Sequence, residues 1–167
     1  MKTIKIKVYE YDELNKTAKD KVLSQFRKDN DYNFLEEDLK ESLKELLKEN
    51  NIKEVKDSSV LYSLSYCQGD GFCFTGSFIW GRYNVVINHV GHYNHAKSVN
   101  ISLYNKGGTY KDAGRPYNTF LGIYERICLT LEKRGYEQIE YEDSEATIKE
   151  NIEVNGYMFE ENGRLRS

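Results

Sequence analysis

Two short stretches of this chain carry residues whose types and spacing can do chemistry. The first is Gln68-Gly69-Asp70-Gly71. Asp-Gly reverses a chain readily, because Gly accepts positive φ and the Asp carboxylate accepts from neighbouring amides, so the plain reading is a tight turn. The functional reading is that Gln68 and Asp70, on a rigid rim beside Tyr66 and Phe72, hydrogen-bond a ligand or a partner. The second stretch is His89-Val90-Gly91-His92-Tyr93-Asn94-His95, which gathers all three histidines into seven residues. Three imidazoles can hold zinc with an open fourth position, which makes His89, His92 and His95 the candidate metal ligands. A spacing of three suits one helical face, whereas the surrounding residues read as a strand running into a turn, where His89 and His95 share a face and His92 points away. No Asp, Glu or Cys stands close by in sequence to complete the site, although Asp70 could approach in space. Structural or ligand-contacting histidines are therefore the main expectation. No cofactor is expected, with zinc or another divalent metal as the alternative. The candidate contact set is Gln68, Asp70, Phe72, His92, Tyr93 and His95.

Other chemistries find less to work with. Cys67 or Cys73 paired with His92 or His95 would make a thiolate nucleophile, but cysteines inside strands are usually small buried hydrophobes. No GxSxG, P-loop, HExxH or dinucleotide fingerprint occurs in the chain. Gly69-Asp70-Gly71 lacks the third glycine and the following helix that phosphate cradling needs. No residue is assigned a catalytic role, and binding is the stronger expectation than catalysis.

Positioning these stretches requires a framework, and the chain spells one out. Ile4, Ile6 and Val8 alternate with Lys5 and Lys7, which predicts a half-buried strand over 3–10. Leu14, Ala18, Val22 and Phe26 recur every fourth position and predict an amphipathic helix over 13–27; Leu35, Leu39, Leu43 and Leu46 do the same over 32–49, ended by Asn50-Asn51. Strands are expected over 60–67, 72–80, 83–89 and 99–104, joined by Gly-containing turns into an antiparallel meander. Gly107-Gly108 and the segment around Pro116, the only proline, read as loop. A third helix is expected over 119–134, with Gly135 as its C-cap, then a strand through Ile139 and Tyr141 and a fourth helix near Ser144. Tyr157 to Leu165 reads as a closing hairpin with an Asn-Gly turn. The fold class is α+β: an antiparallel sheet packed against three to four amphipathic helices.

Composition bounds the rest. A chain of 167 residues with 14 Tyr, 7 Phe and 1 Trp carries far more aromatic residues than a disordered chain, and its length suits a single domain over 1–167. Three cysteines without CxxC spacing, no apolar leader and no apolar run near 18 residues fit a reducing cytoplasm and no membrane association. The net charge is −3. Its distribution is uneven: 13 basic and 14 acidic residues over 1–57, 5 and 2 over 58–118, 6 and 11 over 119–167. The last stretch, at −5, is acidic enough to meet a basic partner or to imitate nucleic acid, and nothing approaches the basic footprint of a dedicated nucleic-acid binder. Arg82, Lys97, Lys106, Lys111 and Arg115 give the aromatic middle some positive character, which leaves a nucleotide or single-strand ligand as an option.

Several segments in order resemble small uncharacterised proteins of phages and prophages, some labelled antitoxin-like. They are 8–19, Asp31-Tyr32, the block 68–76 from Gln68 to Gly76, His92-Tyr93-Asn94-His95, and the ending from Gly156 to Arg164. The block at 68–76 with the downstream His-Tyr-x-His is the most specific part, and it implies that the two stretches face one common site. The chain departs from the pattern after Asp31-Tyr32, where Asn33-Phe34-Leu35 partly replace acidic or aromatic residues. The resemblance implies a phage setting in a host bacterial cytoplasm. By analogy with small phage proteins it implies a protein that binds and inhibits a host defence protein or ribonucleoprotein complex, such as an anti-CRISPR protein acting on a CRISPR effector. The alternatives are a small-ligand or metal-dependent nucleotide-binding or hydrolysing protein using the two loops, and an antitoxin.

Overall fold

The structure, a computed structural model, describes residues 6–166. It is α+β, with four α-helices and a five-stranded antiparallel sheet, plus a small two-stranded hairpin. The chain divides into two compact units, one made by residues up to Tyr32 together with those from Gln138 onward, the other by Asn33–Glu137.

The second unit opens with α2 (Leu35–Glu49), which buries Leu35, Leu39, Leu43, Leu46 and Leu47. Asn50 caps it and Asn51 turns the chain at φ 55, as the Asn pair predicts. The sheet then runs in sequence order: β1 (Ile52–Ser63), β2 (Gly71–Trp80), β3 (Tyr83–His89), β4 (Val99–Tyr104) and the short β5 (Tyr110–Lys111). Trp80 pairs with Tyr83 across Gly81-Arg82, where Gly81 (φ +58) supplies the first position of a tight hairpin turn. β1 begins eight residues before the expected start and ends at Ser63, not at Cys67. The charged run 52–57 has low strand propensity, yet its register against Phe78, Ile79 and Trp80 pulls it into the sheet. Pairing slips twice between Glu54 and Ser59, and Val55 stands out at the irregularity.

Helix α3 (Arg115–Glu142) corrects the largest sequence expectation. Gly135 lies inside the helix instead of capping it, and Ile139 and Tyr141 are helical, not strand. A Cβ at Gly135 would overlap the Leu64 Cδ1 methyl, so the glycine is there for close packing, not for a left-handed turn. Pro116 sits in the helix's first turn, where its missing N–H costs no hydrogen bond. Phe120, Tyr124, Ile127, Cys128 and Leu131 are buried. Tyr124 reaches β2, accepting from the Phe74 amide (3.2 Å) and donating to its carbonyl (3.0 Å), which joins helix to sheet with no buried side-chain N or O atom unmatched among the described residues.

In the first unit, α1 (Lys16–Lys28) is capped by Asn15, whose side chain accepts from the Ala18 amide, and α4 (Glu145–Val154) is capped by Ser144 on Thr147. Tyr11, Leu14, Ala18, Val22, Leu23, Ile148, Ile152 and Phe159 form its core. The hairpin of β6 (Met158–Phe159) and β7 (Leu165–Arg166) turns through Asn162-Gly163 as expected. The strand expected over 3–10 does not form in the described residues: Tyr9 makes one bridge to Phe159, and Ile6 and Val8 are 48% and 40% exposed. Thr3 to Lys5 lie outside the described residues. A lone alternating segment with a single bridge has no neighbouring strand to bury its apolar face.

Candidate functional site

The loop between β1 and β2 is built around one carboxylate. Asp70 accepts from the Ser65 amide (2.7 Å), the Cys67 amide (3.0 Å), the Ser63 hydroxyl (3.1 Å) and the Cys67 thiol (3.2 Å), and the Tyr136 hydroxyl of α3 donates to it as well. Loss of solvent works against the charge. The Tyr136 hydroxyl, the Cys67 amide and thiol and the Ser65 amide outweigh it and hold Asp70 well below the usual carboxylate range. Tyr136 responds in the opposite sense: burial, then its bond to Asp70, pushes it up to about 12. Above this pair the Tyr66 ring packs on the Tyr136 ring at 4.7 Å, with Tyr66 itself held at φ 57.

The loop between β3 and β4 is also held from within. Val90 donates to the Ser98 carbonyl, Ser98 to the His95 carbonyl, and the His89 Nε2 lies 3.0 Å from the Tyr93 carbonyl oxygen. Asn94 reaches out and donates its side-chain amide to the Tyr62 carbonyl of β1 (3.0 Å). The Tyr93 and His95 rings meet edge to face at 5.5 Å.

The two loops meet. A Cβ on Gly71 would lie 2.9 Å from the Asn94 carbonyl oxygen and 3.2 Å from the His95 Cα, and one on Gly69 would lie 3.3 Å from the Tyr93 ring. Backbone seated on backbone at the range found at Gly71 excludes a side chain there, which gives that glycine a reason beyond turn geometry, whereas at Gly69 the neighbour is the Tyr93 ring.

The expected site residues divide accordingly. Gln68, His92 and Tyr93 are on the exposed surface of the paired loops, and His95 is half-buried against Gly71. Asp70 is the hub of its own loop, with its acceptor capacity taken by internal donors. Phe72 is 1% exposed and belongs to the core of the sheet, so it takes no part in a surface. The segment from His89 to His95 is a folded loop, not an extended strand, so the alternation expected of its histidines does not apply. Among the described residues no group of three His, Cys, Asp or Glu side chains converges as metal ligands would.

Nucleophilic chemistry gains nothing from the geometry. Cys73 is buried in β2 and burial pushes its thiol up to about 11, whereas Cys67 lies exposed in the loop, outside any strand, with its thiol directed at Asp70. Sequence reading missed Tyr136 and Ser63 as parts of this site, and it named Tyr66 and Asn94 only as neighbours of the candidate contacts. The four-residue spacing of Ile127, Leu131, Gly135 and Ile139 was a usable signal that α3 continues past Gly135 and carries Tyr136 with it.

The assembled surface is a rim of exposed aromatic and polar side chains on two locked loops. Tyr66 is 65% and Tyr93 60% exposed. No family model, no curated protein and no solved structure matches this chain.

Proposed function

We propose that this protein acts by binding a macromolecule, not by catalysis, and that the paired loops are its contact surface. The partner is a component of a host defence system, a CRISPR effector complex being the form implied by the phage resemblance. The observation that carries the reading is the presentation of Tyr66 and Tyr93 on loops fixed by Asp70 and by the contact at Gly71. Large, rigid aromatic side chains lose little conformational freedom when covered and dominate the energetics of protein interfaces. The internal saturation of Asp70 supports the same reading, since it leaves that carboxylate no role as a base or ligand. The acidic stretch 119–167 adds long-range attraction for a basic partner.

Affinity capture from host lysate with the wild-type protein and a Tyr66→Ala/Tyr93→Ala variant tests this. The wild type is expected to retain a defence complex at stoichiometric level. The variant should bind it about 30-fold more weakly, roughly the loss of one aromatic hot spot of 2 kcal/mol. Equal recovery by both proteins, or recovery of no defence component by either, overturns the proposal.

A further inference from the structure

The first unit holds a cavity of about 360 Å³ that the paired loops do not touch. It lies within that unit, between α1, α4 and the β6–β7 hairpin, at the small end of the roughly 300–1,000 Å³ range of ligand pockets. Val22, Ile148, Phe159 and Leu165 give it apolar lining, and Phe26 and Tyr157 form a wall of two half-buried rings, 6.0 Å apart and tilted by 53°.

Three carboxylates share its lining: Asp29, Glu142 and Asp143. Each is met by neutral donors. Asp29 accepts from the Gln25 amide (2.6 Å), Glu142 from Gln138 (2.9 Å) and Asn30 (3.3 Å), and Asp143 from the Tyr32 hydroxyl (2.9 Å) and Asn30 (3.4 Å). Arg27 donates its Nε to the Asp143 backbone carbonyl, and no ion pair among the described residues involves any of the three carboxylates. The pocket therefore combines an apolar body, two aromatic faces and three carboxylates in no ion pair among the described residues, the Arg27 guanidinium at its edge being bonded to a backbone carbonyl. An anion would be repelled, and a neutral apolar ligand would use the apolar body but not the negative charge. An organic cation satisfies all three features, its ammonium or guanidinium head beside the carboxylates and ring faces, its carbon body on Val22 and Ile148.

We infer that this cavity binds an organic cation, an ammonium or guanidinium head on an apolar body, supplied either by a free amine or by a Lys or Arg side chain of a peptide. The inference is independent of the loop surface, so either can fail without the other.

The test titrates the full-length protein, followed by two-dimensional NMR, with phenethylammonium, with its neutral counterpart 2-phenylethanol, and with a short peptide holding Lys beside Phe. Phenethylammonium or the peptide is expected to shift Thr147, Asn151 and Tyr157 saturably, and whichever saturates names the source. The alcohol is expected to bind at least tenfold more weakly. A Glu142→Gln/Asp29→Asn variant should lose about tenfold in affinity for the cation, and Phe26→Leu, which keeps the bulk and removes the ring face, should lose several-fold while the amide spectrum stays folded. Equal binding of cation and alcohol, shifts confined to residues outside the cavity, or no saturable shift with either cation overturns the inference.

Discussion

At the scale of residues, the bond between Asp70 and Tyr136 decides how the loop surface is built, and its pH dependence is calculable in sign. Asp70 is lowered from its ordinary 3.8, so the stability it contributes is complete above about pH 4 and is lost as pH falls through its lowered native value. Tyr136 is raised from 10.0 to about 12, so its contribution is complete below about pH 10 and is lost as pH rises through about 12. Between those limits the pair is pH-independent. The difference in urea-unfolding free energy between wild type and Tyr136→Phe should therefore be flat from about pH 5 to 9 and shrink on both sides. A difference that stays constant from pH 2 to 5 would mean that the hydroxyl does not hold the carboxylate. Asp-Gly predicted a turn at this place, and the turn is there. That the Asp serves as hub for four backbone and side-chain donors of its own loop, plus a tyrosine 66 positions away, is a statement about contacts that no four-residue motif contains.

At the scale of elements, helix α3 separates two uses of glycine. A glycine followed by Tyr136 and preceded by Lys133-Arg134 has the look of a C-cap, because basic residues and glycine both gather at helix ends. The structure uses it instead to let Leu64 and Leu39 approach the helix. Ala in place of Gly gains about 1 kcal/mol of helix propensity inside a helix. At position 135 that gain is offset by turning the Leu64 methyl aside, so Gly135→Ala alone should leave stability within about 1 kcal/mol of wild type. In a Leu64→Ala background the same substitution should stabilise by the full ~1 kcal/mol. Denaturant unfolding of the four proteins in this cycle reads the coupling directly. Additive effects would mean that Leu64 does not pack on Gly135. The amphipathic spacing of α1 and α2 and the alternation of β3 and β4 were legible because each buries one regular face, and β2, buried on both faces over 71–74, was legible from its aromatic run. The first half of β1 was not legible, since its charged residues join the sheet only through their partners at 78–80.

At the scale of the whole molecule, each unit carries its own core, and the two cores differ in extent. The unit 33–137 buries the leucines of α2, the inner face of the sheet and the aromatic stripe of α3. The other unit relies on the smaller cluster around Tyr11, Val22, Ile152 and Phe159, assembled from two segments distant in sequence. Opening free energy follows buried apolar area and local contact density. Native-state hydrogen exchange should therefore find the amides of α1 and α4 opening at lower free energy than those of β2 and β3. The reverse order, or one common opening energy for all four elements, would show that the larger core does not set the local stability.

The amino-acid sequence by itself determined the class of fold, the antiparallel meander, two helices to within three residues at each end, the end of the second at Asn50-Asn51, the start of the fourth near Ser144 and the terminal hairpin, because periodicity and turn chemistry act over a few neighbouring residues. It also marked both loops as places of interest. Only the tertiary structure decided that Gly71 seats the second loop on the first, that Phe72 is core, that Asp70 is turned inward and that Tyr66 and Tyr93 are the side chains left facing solvent. Those outcomes depend on which atoms come within a few ångströms across long chain separations, and such distances are set by packing, not by any local spacing of residue types.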